Sequence, residues 1–112
     1  ATGATWVYSD GKAAAPRVNW RVEDNEVVSP LGNPSGSSTL FRYTRGVVFA
    51  RNKVVMQAGR NMVGVDLGSS SEADVRCNQF PNAMAATRVD ETSTATAANN
   101  TLGDTPPPCL DP

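Results

Sequence analysis

The chain contains no histidine, so Ser-His and Cys-His nucleophilic catalysis are excluded from the start. Two cysteines without histidine cannot supply the four ordinary ligands of a zinc site. Carboxylates remain. Asp24 with Glu26, and Glu72 with Asp74, are close enough in sequence to act as acid and base, yet acidic residues at turns and element starts are ordinarily solvated or capping. The same clusters offer oxygen ligands for Ca²⁺ but lack the ordered spacing of a calcium-binding loop. Neither GxGxxG nor GxxxxGK[ST] occurs, and Gly64 and Gly68 form no phosphate loop. The sequence therefore predicts no catalytic residue, no cofactor and no metal.

Arg42, Tyr43, Thr44 and Arg45, beside Phe41, have the mixed basic and aromatic character of a single-strand nucleic-acid platform. A formal net charge of −1 provides no field to match, so nucleic acid is not the expected partner. No apolar stretch approaches the roughly 18 residues that span a bilayer. Asn99-Asn100-Thr101 fits the N-glycosylation spacing, and an ordinary polar loop fits it as well. An Ala1 start, a Ser/Thr/Ala/Pro-rich tail and the pair Cys77 and Cys109 together suggest an exported, extracellular protein. The tail is too polar to dock by itself, so a Cys77–Cys109 disulfide is expected to fasten it.

The elements that position these groups read as β-strands of a single 112-residue domain. The densest apolar run is 39–67. Asn52-Lys53 there suggests a two-residue hairpin loop setting Ala50 opposite Val55 and Phe49 opposite Met56, and Gly59-Arg60-Asn61 suggests a second turn. Upstream, Val18, Trp20 and Val22 alternate with polar residues. Asp10-Gly11 and Asp24-Asn25 read as further hairpin turns. Residues 29–38 are nearly all turn formers and read as an exposed loop. From Ser71, a short helix and a short strand through Val75 and Cys77 fit equally well. The expectation is an all-β fold, or a mostly β one with one short helix: a single small antiparallel sheet domain with a disulfide-closed C-terminal loop. Within it, 1–16 is an edge hairpin or arm, 17–67 the core sheet, and 68–112 a short element plus tethered tail.

Six of the seven aromatics precede residue 50, and no long amphipathic helix is available to cover the sheet they build. The sheet must close on itself or be covered by another polypeptide. A meandering antiparallel sheet across about residues 18 to 80, followed by a loop bounded by Cys77 and Cys109, resembles the head of a type IV pilin. That family's long N-terminal hydrophobic helix is absent, which is similar to the separate β-rich half of a split pilin. The resemblance implies a non-catalytic subunit of an extracellular filament, binding a hydrophobic helical partner subunit and copies of itself. The face carrying Trp20, Val22, Phe41, Tyr43, Phe49 and Met56 would be the partner interface. A secreted sandwich module binding carbohydrate or protein, and a viral or phage structural protein, are the alternatives.

Overall fold

The computed structural model describes residues 7–12, 14–28, 36–57 and 62–110. The first coil of chain holds β1 (Val7–Asp10), β2 (Arg17–Val18), β3 (Arg21–Glu23) and β4 (Glu26–Val28). The second holds β5 (Ser37–Arg42), β6 (Thr44–Arg45), β7 (Val48–Ala50) and β8 (Lys53–Val55). The third holds β9 (Val63–Gly68) and β10 (Ala73–Arg76), and the fourth β11 (Ala85–Val89) and β12 (Ala95–Ala98). Strands pair with their counterparts one coil away, giving the four-stranded sheets β1-β5-β9-β11 and β3-β7-β10-β12 and the pairs β2-β6 and β4-β8. Bridges at Arg45↔Ser71, Lys53↔Gln79 and Gln79↔Thr101 carry the two short sheets into later coils. Every ladder is parallel. The architecture is a β-solenoid of four coils.

This overturns the antiparallel sheet, while the mostly β content stands. The reason lies in the corners. A two-residue hairpin reversal of the Asn-Gly kind needs positive φ at both central residues, whereas Asp24 (φ 59°) and Arg51 (φ 57°) are single left-handed residues followed by Asn25 and Asn52 in ordinary conformation. One such residue bends the chain without reversing it. Val48–Ala50 therefore pairs with β3 and β10, and Lys53–Val55 pairs with β4. At Asp10-Gly11 the chain does not fold back along β1, which pairs with β5; the local reversal is the antiparallel bridge Lys12↔Ala15. Ser37 and Ser38, expected in a loop, are buried in β5. The open choice after Ser71 resolves as strand β10, and the supposed tethered loop contains β11 and β12. Residues 29–35, the Gly59-Arg60-Asn61 turn and Trp6 lie outside the described residues.

Because equivalent residues stack coil upon coil, the core is a set of columns. Val22, Phe49, Val75 and Ala97 form one by register, and Phe41 over Leu67 another. Phe49 and Phe80 stack with ring centroids 6.1 Å apart. At the corner after the second large sheet, a ladder of asparagines runs the length of the solenoid. Asn52 Oδ1 accepts from the Asn25 amide and Nδ2 at 3.1 and 2.9 Å. Asn78 Oδ1 accepts from the same groups of Asn52 at 2.9 and 3.2 Å, and Asn100 Oδ1 from those of Asn78 at 3.1 and 3.0 Å. Each Nδ2 also reaches back to a carbonyl of the preceding coil: Asn52 to Val22, Asn78 to Phe49, Asn100 to Val75.

Residues 102–110 turn back beside the third coil, where Gln79 Nε2 donates to the Gly103 carbonyl and Cys77 is joined to Cys109. The expected disulfide is present, closing a separation of 32 residues, and a single 3₁₀ turn spans Pro108–Leu110.

Two stability outcomes follow from this packing. Asn78→Ala leaves the buried Asn52 amide without its acceptor and is expected to cost about 3 kcal/mol, whereas the exposed Asn25→Ala costs about 1. Urea unfolding with the disulfide intact checks both; equal costs would count against the ladder's role. Replacing Cys77 and Cys109 together by Ser is expected to cost about 3 to 4 kcal/mol from the loop entropy. Hydrogen exchange should then show β12 amides losing protection before those of β7.

Candidate functional site

Asp24, Asp74, Asp66 and Asp90 are each engaged by a neighbour. Asp24 meets Arg51 in a two-pronged ion pair at 2.7 and 3.1 Å, and that hydrogen bond holds its carboxyl below the usual carboxylate range while pushing the Arg51 guanidinium up. Asp74 takes Arg76 at 2.6 Å. Asp66 pairs with Arg88, whose guanidinium is raised by that hydrogen bond. Asp90 accepts from the Ser93 and Thr92 hydroxyls at 2.7 and 2.8 Å, and these bonds, with the Thr92 and Ser69 amides, lower its pKa. Among the described residues no three His, Cys, Asp or Glu side chains gather to hold a metal ion.

The six residues expected to form one docking face are dispersed. Phe41, Phe49 and Met56 are fully buried inside the coils. Val22 is half-buried against the same core, and Tyr43 sits half-buried at a corner with φ 50°. Trp20 alone of the six is well exposed, at 41%. The Phe41 to Arg45 stretch likewise forms no platform, since Phe41 and Thr44 point away from solvent while Arg42 and Arg45 face it.

The concavities are shallow. A groove of about 460 Å³ runs between β10 and β12 past Asp74, Arg76, Thr96 and Asn99, with no aromatic in its lining. A second, of about 580 Å³, lies beside Trp20, Lys12 and Arg17 on the first coil.

The ends of the solenoid are the chemically distinctive surfaces. Among the described residues, the six exposed large hydrophobics lie on terminal coils: Val18, Trp20 and Val28 on the first, Met84, Val89 and Leu102 on or beside the fourth. Sequence reasoning found Trp20 and missed the rest, because only the stacking register shows which residues end a column. The available signal was the recurrence of a hydrophobic residue three before and two after each ladder asparagine. Val22 and Val27 flank Asn25 in this way, Phe49 and Val54 flank Asn52, Val75 and Phe80 flank Asn78, and Ala97 and Leu102 flank Asn100.

Comparison with family models, curated proteins and solved structures finds no match to this chain.

The Asp90 turn carries a pH dependence. Its folded pKa is depressed, so its stabilising contribution is present above the unfolded carboxylate value of about 3.9 and is lost as pH falls through the folded value. Acid unfolding of Asp90→Asn should show a shallower loss of stability below about pH 4 than the parent chain. Superimposable acid profiles would remove Asp90 from the turn's energetics.

Proposed function

We propose that this chain is a non-catalytic structural module of an exported, surface-exposed filament or fibre. The observation that carries the reading is the dedication of the interior to stacked apolar columns and a hydrogen-bonded asparagine ladder, ending in apolar, open-edged terminal coils. The intramolecular disulfide suits an oxidising compartment. Carboxylates engaged by arginines and hydroxyls, together with a sequence free of histidine, favour a structural over a catalytic role. The likeness to pilin heads rested on a meandering antiparallel sheet; with parallel coils in its place it retains Cys77 and Cys109. The burial of Phe41, Phe49 and Met56 takes the helical partner out of this reading.

Immunogold labelling of intact source material with antibodies to the chain tests it. Label on external fibres without permeabilisation is the expected result. Label confined to the interior, or polysaccharide turnover by the purified chain that is abolished by Asp74→Asn, would overturn the reading.

A further inference from the structure

We propose that the two ends of the solenoid bind one another head to tail, the first coil of one molecule stacking on the fourth coil of a second copy. This rests on the structural reading above and names its contact. The argument begins with the columns. Extending the strand register by one residue sets Trp20 over Val47, Ala73 and Ala95, and Val48 indeed donates its amide to the Trp20 carbonyl at 2.8 Å. A second column runs Ser9, Phe41, Leu67, Val89. Central members are buried at 0 to 3%, yet Trp20 is 41% and Val89 40% exposed. Ser9, which begins the second column, is only 5% exposed, so the stack opens at Trp20 on the first coil and at Val89 on the fourth.

The two ends are complementary in size and in hydrogen bonding. The large Trp20 begins the column that the small Ala95 ends, so an in-register copy lays an indole over a methyl group. The ladder is polar: each asparagine amide and Nδ2 donate toward the next coil's Oδ1. The Asn100 amide is therefore left with no acceptor, and Asn25 Oδ1 with no donor, among the described residues. One copy's Asn25 Oδ1 completes the other's Asn100. Head-to-head contact would instead oppose two Asn25 acceptors.

Strand edges agree. β11 and β12 each have one strand neighbour, and β1 and β3 are the opposite edges of the same two sheets. The tail does not extend either sheet, being held at Gln79 and Cys77 of the third coil. In the stacked register Thr96 meets Arg21, Ala98 meets Glu23, Asn99 meets Asp24 and Thr101 meets Glu26, all without like charge. Asp10 over Asp90 is like-charged, but the Asp90 carboxylate is engaged by Thr92 and Ser93. Such a contact is heterologous and does not close, so it propagates a filament.

Sedimentation velocity on the disulfide-intact chain and two end-blocked variants tests the contact. Trp20→Arg blocks the first-coil end and Ala97→Arg the fourth; Leu102→Glu replaces the latter if it fails to melt cooperatively with the disulfide closed. The wild type should grow in size with concentration, and each block should weaken association roughly thirtyfold or more. Mixing the two blocked variants should give a one-to-one dimer and nothing larger, since one free end of each kind remains. A wild type monomeric at every concentration reached, or a blocked variant that dimerises with itself, would overturn the proposal. A monomeric wild type that still labels external fibres would remove this contact and leave the structural reading standing.

Discussion

The rest of the structure depends on asparagines stacked coil on coil at one corner, the central two of them buried and making the same connections. Asn52 and Asn78 are wholly enclosed, and an amide so placed costs several kcal/mol unless its donors and acceptor are met. They are met only if the neighbouring coil presents an asparagine at the same height. The left-handed residue just before each, Asp24, Arg51, Cys77 and Asn99, turns the chain through the corner and sets the amide pointing along the axis. Register is thereby pinned: a slip of one residue would leave buried amides unsatisfied along the ladder. A second row of hydroxyls does related work at another corner, where Thr44 donates to Ser70 and the Ser70 amide to Ser93.

Stacking like on like also explains how a chain with 39% hydrophobic residues encloses a core. In a one-layer sheet, an apolar face needs a second layer to cover it. In a solenoid, the walls face one another across the interior, so short strands suffice: β3, β7 and β8 contribute three residues each. Phe41, Phe49, Val54, Val65, Leu67 and Val75 are fully buried without a helix to cover them. The cover thought to be missing is the chain itself, one coil on.

Local features were legible in the sequence; their partners were not. Changes of direction near Asp24-Asn25 and Asn52, though not the hairpins expected there, the strand character of Val48–Ala50 and of Val54 and Val55, and the Cys77–Cys109 bond could be read from residue type and spacing. What defeated the reading was the choice between a neighbour two residues away and one 26 away, because alternation along a short strand is the same in either case. The coil-to-coil spacing decides it, and that spacing drifts from 27 to 26 to 22 residues down the ladder, blurring the recurrence. The corner itself is further disguised, since its left-handed position is filled by four different residue types. Among the surface residues, Trp20 was legible as an aromatic needing cover. Its proper companions, Val89 and Leu102, belong to the same surface class only once the columns are known.

The position of the disulfide follows from the same physics. A solenoid is stabilised chiefly by contacts between adjacent coils, so a terminal coil is held on one side only and frays first. The fourth coil is poorly equipped to resist. Where the second and third coils place Phe49 and Val75 in a column, it places Ala97; a buried Val or Phe is worth about 1.5 to 3 kcal/mol, whereas an alanine methyl contributes about 0.8. Ala97 leaves a deficit of about 1 to 2 kcal/mol at its interface with the third coil, and Ala95 there meets only Ala73. Cys77 sits on the third coil and Cys109 beyond the fourth, so β11, β12 and Asn100 all lie within the closed loop. If the last coil detaches, it remains a tethered loop rather than a free end. The entropy so withheld, about 3 to 4 kcal/mol, more than offsets what Ala97 omits, and it leaves the strand edges of that coil uncovered.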